Sequence, residues 1–141
     1  MLYSIIVPVY NRPGEVKELL DSLAAQTVKP FELVIIEDGS KERCDHLLGH
    51  YRSLFDIHYY YKENSGRSET RNYGMERANG DYMLFFDSDV ILPPEYFEKL
   101  ADRHHCPNVD EFFAAIGYGG IILQRIMPRI KEDYQKLVAS N

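Results

Sequence analysis

Four short apolar runs recur along the chain, each closed by a polar turn, and the hydrophobic period between them changes from continuous to helical. Leu2 to Val9 is β-branched and apolar on consecutive positions, the pattern of a strand buried on both faces, and it is stopped by Pro8 and the turn-forming Asn11-Arg12-Pro13-Gly14. Val16, Leu19, Leu20, Leu23 and Ala24 then fall at helical spacing, with Pro13 suited to the first turn and the pattern ending before Pro30. Phe31 to Ile36 predicts a second buried strand that ends at Glu37-Asp38-Gly39-Ser40. Leu47, Leu48 and Tyr51 mark a weaker helix, and Ile57 to Tyr61 a third strand emerging into Glu63-Asn64-Ser65-Gly66. Arg67 to Ala78 has the composition of a helix with a polar outer side, terminated by Asn79-Gly80. Tyr82 to Phe86 is the fourth strand, ending at Asp87-Ser88-Asp89, and Pro93-Pro94 opens a helix through about Leu100.

Strands alternating with helices across short turns predict an α/β fold, a Rossmann-like parallel sheet with helices on both faces. Ligands of such sheets bind outside the carboxyl ends of the strands. Here those ends carry Tyr10-Asn11, Glu37-Asp38 and Asp87-Ser88-Asp89, so three acidic or amide clusters converge on one edge. Beyond His104-His105-Cys106-Pro107 the character shifts. Val109 to Ile116 and Ile122 to Leu137 read as two short amphipathic helices around Gly117-Tyr118-Gly119-Gly120, a helical tail.

The 141 residues, 45% of them hydrophobic and 13% aromatic, suffice for one globular domain. A net charge of −6 gives no field for holding DNA or RNA, so a bound phosphate would need a local device. Cys44 and Cys106 form no CxxC pair and no zinc-type spacing with histidine, which fits a reducing cytoplasm. The N-terminus lacks a basic n-region and meets Pro8 before its apolar run could serve as a signal peptide or membrane span, so no transmembrane segment is expected. The five histidines form no HExxH pair, and GxSxG, GxxxxGK[ST] and GxGxxG are all missing from the sequence.

The strand-end residues keep two readings each. Asp87 and Asp89, one residue apart, can hold a hard divalent cation that shares its other positions with a diphosphate, or one can cap the following helix while the other is solvated. In Glu37-Asp38-Gly39-Ser40 the glycine permits a tight turn and the serine suits an N-cap; the carboxylates either serve that turn or accept hydrogen bonds from a base or ribose. Arg67 and Arg71 share a helix face, for phosphate oxygens or for salt bridges to Glu63 or Glu76.

Pro8-Val9-Tyr10-Asn11, Glu37-Asp38-Gly39-Ser40, Asn64-Ser65-Gly66 with Thr70-Arg71-Asn72-Tyr73-Gly74, and Asp87-Ser88-Asp89, in this order, strongly resemble the family 2 glycosyltransferases of the GT-A fold over about residues 1–105. The resemblance implies an inverting transfer from a nucleoside diphosphate sugar, usually a UDP-sugar, to a saccharide or lipid-linked acceptor. It would operate in the cytoplasm, with peripheral contact at the inner face of the membrane. It implies that Pro8, Tyr10 and Asn11 form part of the nucleoside pocket beside Glu37, that Asp38 hydrogen-bonds the uracil, and that Arg71 faces the diphosphate. Asp87 with Ser88 would lie near the ribose, and Asp89 would bind Mn²⁺ or Mg²⁺ across the two phosphates.

Val90 stands where the family pattern often adds a further acid, and the family's base and acceptor strands lie in a second half expected to be missing from residues 106–141. From about Asn108 to Leu137 the chain is similar to a helical linker of the ppGpp synthetase/hydrolase family. Two alternatives accompany the enzyme reading: a UDP- and metal-binding module without transfer, and a phosphoacceptor receiver domain. The receiver would leave Asn64 to Gly74 and Asp87-Ser88-Asp89 unexplained.

Overall fold

A computed structural model describes residues 2–102 and 121–123. The elements run β1 (Tyr3–Val9), α1 (Pro13–Ala24), β2 (Phe31–Asp38), a 3-10 turn (Asp45–Leu47) leading into α2 (Leu48–Tyr51), β3 (Asp56–Lys62), α3 (Arg67–Arg77), β4 (Tyr82–Phe85), α4 (Tyr96–Asp102) and β5 (Ile121–Leu123). The sheet order is β3-β2-β1-β4-β5, with the first four strands parallel and β5 antiparallel to β4. The expected α/β class holds.

Alternation along the central strands divides the core. Tyr3, Ile5, Val7 and Val9 of β1, with Leu33 and Ile35 of β2, pack against Val16, Leu19, Leu20 and Leu23 of α1 and Phe97 and Leu100 of α4. Ile6, Val34 and Ile36 face the other way, onto Met75 of α3. Gly74 sets the closeness of that second layer, since a Cβ there would come within 2.6 Å of both Ile36 Cδ1 and Ile6 Cγ2.

Two properties of the sheet make room for a site. β1 stays paired with β2 up to Val9↔Glu37, but its pairing with β4 ends at Ile6↔Phe85. The chain also builds outward from β1 through β2 to β3 and then crosses to the other side for β4, so the strand order reverses between β1 and β4. A ligand cleft belongs at such a reversal.

The structure amends several expected boundaries. β2 runs two residues past Ile36, to Asp38, and α4 begins at Tyr96, after Pro93-Pro94. The helix expected over Ile122 to Leu137 is corrected at its start, and its remainder lies outside the described residues: Ile121–Leu123 is a strand laid along β4, through Met83↔Leu123, Leu84↔Ile122 and Phe85↔Ile121. β4 has β1 on one side only, and its other row of backbone groups needs a partner, which the run Ile-Ile-Leu after two glycines supplies. The helix expected over Val109 to Ile116 lies outside the described residues. No helix among the described residues is long and apolar enough to cross a membrane.

Candidate functional site

A cleft of about 460 Å³ opens at the carboxyl ends of β1, β2 and β4. Pro8, Val9, Tyr10, Arg12 and Glu15 form one wall, Asp38, Asn64 and Arg67 another, and Asp87, Ser88 and Asp89 the third. Tyr10 is half exposed there and pairs with no other ring among the described residues.

Asp38 is the most heavily bonded of these groups. Its Oδ1 accepts from Lys62 Nζ and from the Ser65 amide, both at 2.8 Å, and its Oδ2 accepts from the Gly66 amide at 3.1 Å. Asn64 Nδ2 donates to the Asp38 carbonyl at 2.8 Å. Burial pushes the Asp38 carboxyl up, but the bonds from Lys62 and the two amides outweigh it and hold the group below its ordinary value. Asp38 therefore stays ionised and fixes the loop entering α3. The loop comes so close that Gly39, at φ +76, could not carry a Cβ without meeting Asn64 N at 2.8 Å.

Two residues expected to bind ligand are turned to other work. Asn11, in the left-handed region at φ 51, spends its side-chain oxygen on the amides of Lys41 and Glu42 at 2.7 and 3.0 Å, and its own amide donates to Ser40 Oγ. It ties the end of β1 to the end of β2 and does not line the cleft. Because β2 continues past Ile36, the pleat sends Glu37 to the α1 side, where it is fully buried and accepts from the Cys44 amide and the Tyr59 hydroxyl. Ser40 caps no helix and instead bridges the two strand ends.

The third wall is electrostatic. Arg71 Nη2 donates to Asp87 Oδ1 at 3.1 Å, and Arg67 Nη1 lies 3.8 Å from the same oxygen. Neither arginine pairs with Glu63 or Glu76, the partners offered by the ordinary reading. Ser88 Oγ donates to Glu15 Oε2 at 3.1 Å, which ties the Asp87-Ser88-Asp89 turn to the first turn of α1. Asp89 is exposed and takes no hydrogen bond or ion pair among the described residues.

The sequence profile described as "Glycosyl transferase family 2" matches residues 4–137, nearly the whole chain. This chain belongs to the family 2 glycosyltransferases. The family match runs across the stretch that carries the second, ppGpp-type resemblance. Among curated relatives, an uncharacterized glycosyltransferase of Haemophilus influenzae is 42% identical over 100 residues, which make up 70% of this chain and 33% of that protein. Glycosyltransferase GlyA of Streptococcus pneumoniae is 36% identical over 98 residues, 69% of this chain and 14% of its own length. The solved structure of S. aureus TarS 1-349 in complex with UDP-GlcNAc superposes with a TM-score of 0.68 at 32% identity, covering 79% of this chain and 32% of that one. A Pyrobaculum calidifontis mannosyltransferase solved with GDP-Man and Mn²⁺ shares the fold, with a TM-score of 0.67 at 18% identity over 80% of this chain and 37% of that one. The chain thus spans between 14% and 37% of the length of these relatives.

Sequence reasoning missed several parts of this family 2 cleft. Glu15 and Lys62 carry no sequence signal for the cleft, and Arg12 is read only as part of the turn after β1. Only the period of two carried through β3 to Lys62 could have shown that it stands opposite Asp38. A divalent ion fits the third wall by donor chemistry: Asp89 is exposed and unengaged, and the neighbouring donors are all oxygens, as a hard cation requires.

Proposed function

We propose that this chain carries the donor-binding unit of a glycosyltransferase that moves a sugar from a nucleoside diphosphate, UDP in the first instance, to a saccharide or lipid-linked acceptor with inversion. One observation carries the reading: a fixed carboxylate (Asp38), an arginine (Arg67) and an unengaged carboxylate (Asp89) border a single cleft between β1, β2 and β4, and Arg71, outside the lining, reaches it through its bond to Asp87. In this reading Pro8 and Tyr10 hold the base against the carboxyl end of β1, with Asp38 at its polar edge. Asn11 and Glu37 support that wall from behind. Arg71 turns to the diphosphate, Asp87 and Ser88 lie beside the ribose, and Asp89 with its neighbouring oxygens would hold Mn²⁺ or Mg²⁺. When bound, the ion offsets the charge that develops on the diphosphate leaving group. TarS, about a third identical, is described with UDP and with UDP-GlcNAc, which supports uridine as the first nucleotide to try. We also place the chain in the cytoplasm, in keeping with its free, buried Cys44.

An inverting transfer needs a general base. Among the described residues, three of the four carboxylates lining the cleft are engaged, Glu15 with Ser88, Asp38 with Lys62 and Asp87 with Arg71, and the fourth, Asp89, is the metal candidate. That shortage favours a second reading for these residues alone, a module that binds UDP and metal without transferring sugar. Calorimetric titration with UDP, with and without Mn²⁺, tests what the two readings share: Asp89→Ala should remove the metal-dependent part of the affinity, and no UDP binding by the parent chain sinks both. Consumption of UDP-sugar in the presence of acceptor separates them.

A further inference from the structure

We propose that Glu32, Asp56 and His58 form a divalent-metal site at the end of the sheet away from the cleft, suited to a borderline first-row ion such as Zn²⁺, and that the ion clips β3 to β2. Glu32 and Asp56 are register partners across the two strands, and Asp56 and His58, two apart, stand on the same face of β3. His58 Nε2 lies 3.3 Å from Glu32 Oε2 and 3.0 Å from Asp56 Oδ2. Ligand atoms bound at about 2.0–2.2 Å around a tetrahedral ion are themselves roughly 3.3–3.6 Å apart, so His58 Nε2 already stands near coordinating separation from each carboxylate, and the three ligand atoms all lie within 4.8 Å of one another.

The surroundings of Glu32 point to a cation. Its side chain is 97% buried, in that only 3% is exposed, and among the described residues no lysine or arginine pairs with it. A buried carboxylate without a permanent counter-charge is costly. Its Oε1 is taken by Ser4 Oγ at 2.8 Å and the Asn79 amide at 2.7 Å, both outside the trio. Oε2 is held more loosely, by Asn79 Nδ2 at 3.3 Å, and is the oxygen turned to His58. This is how ligating carboxylates are oriented, with one oxygen anchored by neighbours and the other presented. One imidazole N–H offers a single proton to two acceptors, whereas a metal ion satisfies all three groups at once.

Asp56 and His58 are 66% and 35% exposed, which leaves an entry path and room for water at the remaining position. An imidazole among the donors favours zinc-like ions over Mg²⁺ or Ca²⁺. The site is independent of the cleft, because Glu32 and Asp38 occupy opposite ends of β2, about 20 Å apart at strand rise.

The test is Zn²⁺ titration of the 141-residue chain by calorimetry, with Co²⁺ absorption as the reporter of coordination. Without UDP, we expect one saturable ion per chain at this site and a raised Tm. His58→Gln and Asp56→Asn, both at the solvent side, should each weaken binding by more than about tenfold while the circular dichroism spectrum stays that of the parent. Glu69→Gln, exposed on α3 and outside both sites, should leave it unchanged. Zinc binding that survives His58→Gln, or that is lost only when His104, His105 and Cys106 are replaced, overturns the assignment, as does no saturable binding at all.

Discussion

Lys62, the last residue of β3, donates to Asp38, the last residue of β2, at 2.8 Å, and both side chains are withdrawn from solvent. Removing the lysine leaves a buried carboxylate with its amide partners but no opposite charge. Lys62→Met should destabilise the fold by about 3–5 kcal/mol, the usual cost of breaking a buried pair from one side. Urea denaturation measures it, and a loss below about 1 kcal/mol would mean that the amides of Ser65 and Gly66 alone hold Asp38.

The same pair gives the protein an acid-sensitive component. The folded Asp38 carboxyl lies below its ordinary value, with the bonds from Lys62 and the two amides overcoming the effect of burial. A depressed carboxyl contributes stability that is present above the unfolded value of about 3.9 and is lost as pH falls through the folded one. The stability difference between the parent and Asp38→Asn should therefore be constant near neutrality and shrink only below about pH 4. A gap that persists unchanged to pH 2 contradicts this account.

Gly39 combines a left-handed backbone at φ +76 with Asn64 N only 2.8 Å from where a Cβ would stand. Gly39→Ala should cost about 1–3 kcal/mol and displace the Asn64 side of the cleft, weakening UDP binding as well. Gly14, in the first turn of α1, has nothing within 4 Å of a Cβ. Gly14→Ala is the matched control and should be neutral or stabilising by up to about 1 kcal/mol. Thermal melts of the two variants compare them directly.

Arg71 and Arg67 converge on Asp87 from successive turns of α3. If they exchange that carboxylate for diphosphate oxygens, Arg71→Ala should remove most of the preference for UDP over uridine and flatten its dependence on salt. Equal losses for both ligands would place Arg71 on the nucleoside instead.

Burial, aided by the neighbouring Glu37 carboxylate, pushes the Cys44 thiol up to about 12. It should resist iodoacetamide at pH 8 in the folded protein and react once urea unfolds the chain. Peptide mapping by mass spectrometry distinguishes it from Cys106.

The strands were legible because a sheet buried on both faces writes itself as uninterrupted apolar residues, and the strand-end motifs because turns restrict residue type. What each polar side chain does depended on details that the pattern does not carry. Two extra residues of β2 separated Glu37 from Asp38 and sent them to opposite faces. Asn11 is polar and adjacent to the cleft, yet its oxygen is consumed by Lys41 and Glu42, a contact across 30 residues that local sequence cannot show. Glu15 reaches Ser88 from 73 residues away for the same reason. The strand at Ile121–Leu123 was hidden because a three-residue apolar run has no period of its own.

That strand also bears on how the protein is made. On the ribosome, Phe85 is synthesised well before Ile121, its pairing partner in the sheet. At about 5–20 residues per second the outer edge of β4 waits roughly 2–7 s for its cover. During that interval it is an open, apolar edge able to recruit another nascent chain. Slowing translation between the codons for Phe85 and Ile121 should therefore raise aggregation during synthesis, while leaving the stability of the finished protein untouched.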